Sequence, residues 1–218
     1  MDLVLVTDCA PYAAGASGVH QVLGQARAAF RQLARARGLG FHHVEDVTEG
    51  LPEAQVLVLF TIGDVPWSAE QRATIVQRIG AGDLHLLTVH SATDGLNDWP
   101  EYAQLTGGRF DGHPVTDVLA LRVDRDHPAT RHLPEVWHIA DELYLFRELL
   151  PSARVLLHLE RDEAPVALPG RPLPFAWCHH YGAGRCFTTA LGHLPESWED
   201  VAYVRHLDGA LAWLLDGC

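Results

Sequence analysis

The sequence predicts an α/β fold built on a mostly parallel sheet with helices on both faces. Three short apolar runs, Leu3 to Thr7, Gln55 to Thr61 and Leu84 to Val89, are uninterrupted by charge, as in strands buried on both sides. Stretches of helical period separate them. Strand and helix in alternation require right-handed crossovers and a covered parallel sheet. The arrangement is flavodoxin-like or Rossmann-like.

The elements follow in order. After the first strand comes a loop of small residues from Ala10 to Gly18. Val19 to Arg37 then carries Val22, Leu23, Ala26, Phe30, Leu33 and Ala34 on one helical face, and Gly38 and Gly40 end it. Phe41 to Val47 reads as a second strand. Ser68 stands as an N-cap, with Glu70 and Gln71 in the first turn of a helix that reaches Ile79. Residues 91 to 150 are less regular and are expected to pack as short helices and strands around the sheet edge. Ala153 to Leu159 alternates as a strand. Phe175 to His180 and Arg185 to Leu191 flank Tyr181-Gly182-Ala183-Gly184, a hairpin signal. Trp198 to Leu215 reads as one closing amphipathic helix. With 218 residues and no long linker, the expectation is a single domain over 1–218.

Composition removes several kinds of chemistry. All 16 basic residues are arginine, so there is no Schiff-base lysine and no phosphate-loop lysine. A net charge of −12 argues against nucleic acid as partner. No apolar run has the length of a membrane span, and Asp8 interrupts the N-terminal run too early for a signal peptide. Cys9, Cys178, Cys186 and Cys218 form no CxxC pair, which suits a reducing cytoplasm and packed thiols. Gly15-Ala16-Ser17-Gly18 lacks the GxGxxG spacing of a dinucleotide loop. The abundance of alanine and arginine is a bacterial, GC-rich bias.

Ligands in parallel α/β sheets sit beyond the carboxyl ends of the strands. The residues there are Asp8 and Cys9, Gly63 and Asp64, and His90 and Ser91. Later segments add His113, Asp141, Glu142, Tyr144 and His193, and His20 opens the first helix. His90 ends a very apolar strand and is carried to the ligand edge on a rigid element, where imidazole serves as proton shuttle or metal ligand. Asp141 and Glu142 are neighbours, so in extended backbone only one faces a pocket. Gly192 lets the chain turn to aim His193 inward. His42 with His43, and His179 with His180, split across strand faces and cannot chelate as written. No HExxH or cysteine cluster is present. A zinc or manganese site would have to be assembled from His90, His113, His193 and a carboxylate, and no motif demands a cofactor.

The series LLTVHSATD (86–94), WPEYAQLTGGRFDGHP (99–114), HPAT (127–130), DELYLF (141–146) and YGAGRCFTTALGH (181–193) resembles the trehalose-utilisation ThuA-like family. The resemblance runs from about Val56 to the final helix. It implies a class I glutamine amidotransferase-like fold in which His90 takes the place of the catalytic cysteine, so that glutamine hydrolysis is lost. Family members are associated with catabolism of trehalose and related disaccharides oxidised at C3 by a partner dehydrogenase. Carried over by motif, His90, Asp141, Glu142, Tyr144 and His193 become the catalytic candidates, and His20, His113 and Ser91 the substrate-binding ones.

Three roles compete. The first is proton-transfer chemistry on a 3-keto sugar, either isomerisation or elimination. The second is a non-catalytic carbohydrate-binding or regulatory protein on the same scaffold. The third is a metal-dependent hydrolase. The expected partner is a small sugar, with a functional link to a sugar dehydrogenase, room for a homo-oligomer and no membrane or nucleic acid.

Overall fold

The computed structural model describes residues 1–9, 19–166 and 173–217. The Gly15–Gly18 loop lies outside them, as does the side chain of His20.

The first half follows the sequence reading closely. Strand β1 is Asp2–Val6, helix α1 Val19–Ala36, strand β2 Gly40–Val44, β3 Val56–Leu59, helix α2 Ala69–Ala81 and β4 His85–Val89. Ser68 caps α2 in a reciprocal box with Gln71, which satisfies two otherwise orphaned amides. The apolar runs are uninterrupted because both faces are covered. Leu3 and Leu5 join the core that contains Phe30 of α1, while Val4 and Val6 join the one that contains Ile75 and Ile79 of α2.

Beyond β4 come α3 (Pro100–Thr106), β5 (Arg109–Gly112), β6 (Thr116–Val123), β7 (Val136–Glu142), β8 (Leu145–Arg147), β9 (Arg154–Leu159), β10 (Leu173–Tyr181) and β11 (Gly184–Thr189). The main sheet has nine strands in the order β2-β1-β3-β4-β11-β10-β9-β6-β7. The five from β2 to β11 in that order are parallel, and the other four continue it antiparallel. The middle segment thus contributes more than edge packing, since β6 and β7 enlarge the sheet itself. Strands β5 and β8 form a separate antiparallel pair.

The hairpin of β10 and β11 turns at Gly182-Ala183. Gly182 has φ 59°, and a Cβ there would lie 2.5 Å from the Gly80 carbonyl oxygen, so only glycine fits between the turn and the end of α2. The closing segment is two helices, α4 (Pro195–Glu199) and α5 (Val201–Asp216), where one was expected. The break is at Asp200, whose carboxylate accepts from the Ala202 amide and caps α5.

The β6–β7 hairpin is tied to the sheet by few bonds. Only Arg122 and Val123 of β6 pair with β9, through His158 and Leu157. The rest of the hairpin is held by packing, with Leu119, Leu121, Trp137 and Ile139 in the main core, and it brings the end of β7 to the ends of β4 and β11. Among the described residues, no helix is long and apolar enough to cross a membrane.

Candidate functional site

The site is assembled where three strands end. Strand β4 delivers His90, which has φ 50° and no solvent exposure. A positive φ is uncommon for a residue with a Cβ and marks a sharp turn off the strand. The turn is held by the side chain, because His90 Nδ1 lies 2.7 Å from the Ala190 carbonyl oxygen just past β11. A carbonyl only accepts, so Nδ1 donates to it and Nε2 is left to face the site.

That nitrogen meets three groups. The Tyr144 hydroxyl is 3.0 Å away, His193 Nδ1 is 3.2 Å away and Glu142 Oε2 is 3.4 Å away. The carboxylate of Glu142 is shared between its two oxygens. Oε2 faces His90 and also His193 Nδ1 at 3.3 Å, while Oε1 faces His113 Nδ1 at 3.4 Å. Tyr144 stacks on His90 with ring centres 4.4 Å apart, and Phe110 and His113 continue the aromatic wall.

Electrostatics follow from this packing. Burial alone would push the Glu142 carboxyl up, but the contact with His90 and the nearness of His193 and His113 outweigh it and hold it below the usual range. Burial lowers His193 below an ordinary imidazole, with Glu142 opposing. Burial, then the charges of Glu142, Asp94 and Asp141, push the Tyr144 phenol well above its ordinary value. The result is an ionised carboxylate beside a neutral phenol, with His193 biased toward its neutral form.

Asp141 takes the other side of the strand. Its oxygens accept from the Gly192 amide (2.7 Å), the His193 amide (3.2 Å) and Ser197 Oγ (3.1 Å), as well as from the Glu142 amide. None of its hydrogen bonds among the described residues goes to an imidazole, and two of them fix the loop that aims His193. Gly192 has φ 126°, and a Cβ there would be 2.8 Å from the Tyr203 hydroxyl.

Other expected residues fall as follows. His113 is half exposed at the rim. Ser91 is fully buried, and its hydroxyl has no hydrogen-bond partner among the described residues. Asp8 accepts from the Val47 amide, Asp64 accepts from the Leu96 amide, and burial pushes the Cys9 thiol up to about 11. His43 bonds Thr7 while His42 faces Asp2, and His179 bonds the Gln104 carbonyl while His180 packs on Trp213. Both pairs are split, as strand geometry demands. Asp94, Phe110 and the Ala190 carbonyl were not singled out from sequence. Spacing carries no signal for them, because their place depends on loops and on a partner strand.

His90 Nε2, His193 Nδ1 and a Glu142 oxygen lie within 4.8 Å of one another, and these three residues could hold a metal ion. Two imidazoles and one carboxylate suit a divalent transition metal. The bond from His90 to Ala190 is the usual second-layer support for such a ligand.

A model of the family described as trehalose utilisation, ThuA, matches residues 12–214. The chain belongs to the ThuA family. Its fold is shared with a ThuA-like protein from Bacteroides uniformis, at 21% identity and TM-score 0.81, over 98% of this chain and 91% of that one. A ThuA-like protein from Parabacteroides merdae gives 18% and 0.79, over 100% and 90%. A β-galactosidase from Rahnella sp. R3 shares the fold at 12% identity and TM-score 0.64, over 97% of this ThuA chain but 30% of the larger enzyme. No curated protein matches the chain.

Proposed function

We propose that the chain is an enzyme of sugar utilisation that removes a proton from the carbon beside the carbonyl of a keto-disaccharide related to trehalose. The observation that carries this reading is the ionised Glu142 set among three imidazoles with a neutral phenol alongside. Glu142 Oε1, on the His113 side, is the proton acceptor, and His113 receives the proton in turn. The Tyr144 hydroxyl donates to the oxygen on which negative charge develops.

The donor set fits a divalent ion of the zinc or manganese type, held by His90, His193 and Glu142 Oε2. Such an ion, when bound, supplies Lewis acidity toward the carbonyl oxygen. A cysteine nucleophile finds no support, since Cys9 and Cys186 are buried thiols pushed up to about 11 and about 12. This favours loss of amidotransferase chemistry. The keto group has to come from a prior oxidation, which makes a sugar dehydrogenase the functional partner.

The test is proton NMR of the protein with 3-keto-trehalose in deuterated buffer, before and after chelation and re-addition of zinc or manganese. Deuterium entering beside the carbonyl faster than without protein is the expected result. An unchanged spectrum from a sample that binds the sugar would make the protein a carbohydrate-binding one.

A further inference from the structure

Helix α5 carries Arg205, Asp208, Gly209, Ala212 and Asp216 at intervals that place them along one face. That face borders an open cavity of about 390 Å³, within the range of small-molecule sites. Its other walls are Arg37 at the end of α1 and the segment from Pro128 to His132, and it shares no residue with the strand-end site.

Three contacts fix how that segment runs along α5. A Cβ on Gly209 would lie 2.2 Å from the Pro128 carbonyl oxygen, His206 Nδ1 donates to the Ala129 carbonyl at 3.0 Å, and His132 Nε2 donates to the Ala202 carbonyl at 2.9 Å. The segment thus descends from the middle of α5 toward its first turn. Arg131 falls between the levels of His206 and Ala202, where Arg205 stands. Both arginines line the cavity and are exposed, and among the described residues neither is ion-paired with a carboxylate. Arg37 is held instead, because its Nε donates to the Asp208 carboxylate and its Nη2 to the Asp208 carbonyl, both at 2.8 Å. That contact takes up the Asp208 charge.

The cavity is therefore polarised. Near the start of α5 it offers Arg131, Arg205 and His132, and it ends at Asp216, about 16 Å further along the helix. Two guanidinium groups without counter-charges repel each other, and an oxyanion between them removes that cost and meets their forked donors. Helix α1 brings no acidic side chain to this side. The net charge of −12 repels an extended anionic surface such as a membrane or a nucleic acid. A small anion responds only to charges within about 8 Å at physiological salt, so the arginines dominate what it meets. Gly209 and Ala212 leave room for a ligand body beside the fixed Arg37, whose remaining amino group can donate to hydroxyls. Among the described residues no phenylalanine, tyrosine or tryptophan lines the cavity, so a hydroxylated body suits it better than a nucleobase.

We propose that this cavity is a binding site for a phosphorylated monosaccharide, with the phosphoryl group between Arg131 and Arg205 and the sugar over Gly209 and Ala212 beside Arg37. The site is separate from the strand ends and does not depend on the reaction proposed there.

The experiment is titration calorimetry of the full chain at constant ionic strength with glucose 6-phosphate, glucose and inorganic phosphate. The expected result is one glucose 6-phosphate bound per chain, more tightly than inorganic phosphate, with glucose weaker than either. Replacing both arginines, Arg131→Gln with Arg205→Gln, is expected to weaken the ester by about 10-fold or more. Ala212→Leu, which fills the floor, weakens the ester and spares inorganic phosphate. Arg27→Gln, on α1 but outside the lining, leaves both unchanged. Absence of ester binding, or equal binding by the double variant, would overturn the proposal. So would equal affinity for ester and inorganic phosphate, which would reduce the site to an oxyanion contact. Glucose binding as tightly as the ester would also overturn it, since the phosphoryl group would then do nothing. If the double variant melts early, Arg205→Gln alone decides by the same loss.

Discussion

Two of the regions where histidines gather in this molecule are built in opposite ways. At the strand ends, His90, His113 and His193 surround Glu142, and His90 Nε2 faces a hydroxyl, an imidazole and a carboxylate. Under α5, His127 and His206 are sealed among Phe187, Trp213 and Trp137. There, His127 Nδ1 accepts from the Ala129 amide and His206 Nδ1 donates to the Ala129 carbonyl. His206 Nε2 has no partner among the described residues. Burial lowers these two imidazoles to about 4 and about 3. Burial alone therefore makes a histidine a neutral packing group. A carboxylate within reach makes it a place where a proton can be held and passed on.

The sharpest way to break this comparison is Glu142→Gln, which keeps the shape and removes the charge. Exchange beside the carbonyl is expected to fall by about 10²- to 10⁴-fold, with the thermal unfolding midpoint little changed. A variant that retains the rate would show that the carboxylate is not what distinguishes the two regions. Asp141→Asn is the next largest effect. It disturbs the loop that aims His193 without touching an imidazole, and the rate is expected to drop about 10- to 100-fold, with a lower melting temperature measured in the same samples.

The smallest effect is on stability in acid. His127 and His206 have folded-state values below those of the unfolded chain, so unfolding takes up protons as the pH falls. Their stabilising contribution is whole above pH about 6.5 and is lost downward, at about 1.4 kcal/mol per pH unit for each histidine. The loss levels off near pH 4 for His127 and near pH 3 for His206. Urea unfolding at stepped pH measures the slope. His206→Phe, which cannot protonate, should remove one proton from it and leave exchange activity per folded molecule unchanged.

The parallel half of the sheet was legible because strands buried on both faces must be apolar throughout, as Leu3 to Val6 and Val56 to Leu59 are. The antiparallel half was not. In β6 and β7, Asp117, Arg122, His138 and Asp141 interrupt the apolar residues, and their pairing is decided by a partner far along the chain. His90 and His193 were readable from their positions after strands. Glu142 could not be separated from Asp141, because which of two neighbours faces inward depends on strand orientation.

The β6–β7 hairpin pairs Thr116 with Glu142 and Asp117 with Asp141. Side chains alternate along a strand, so a slip of this ladder by one residue would exchange the two acids between their sides. The shorter Asp141 would then be offered to the imidazoles, and Glu142 to the amides of Gly192 and His193. The acidic pair is in effect a two-position selector whose setting is written in the register of an arm that pairs with the rest of the sheet through two residues. A one-residue deletion between β6 and β7 would turn that selector while leaving His90, His193 and the parallel sheet where they are.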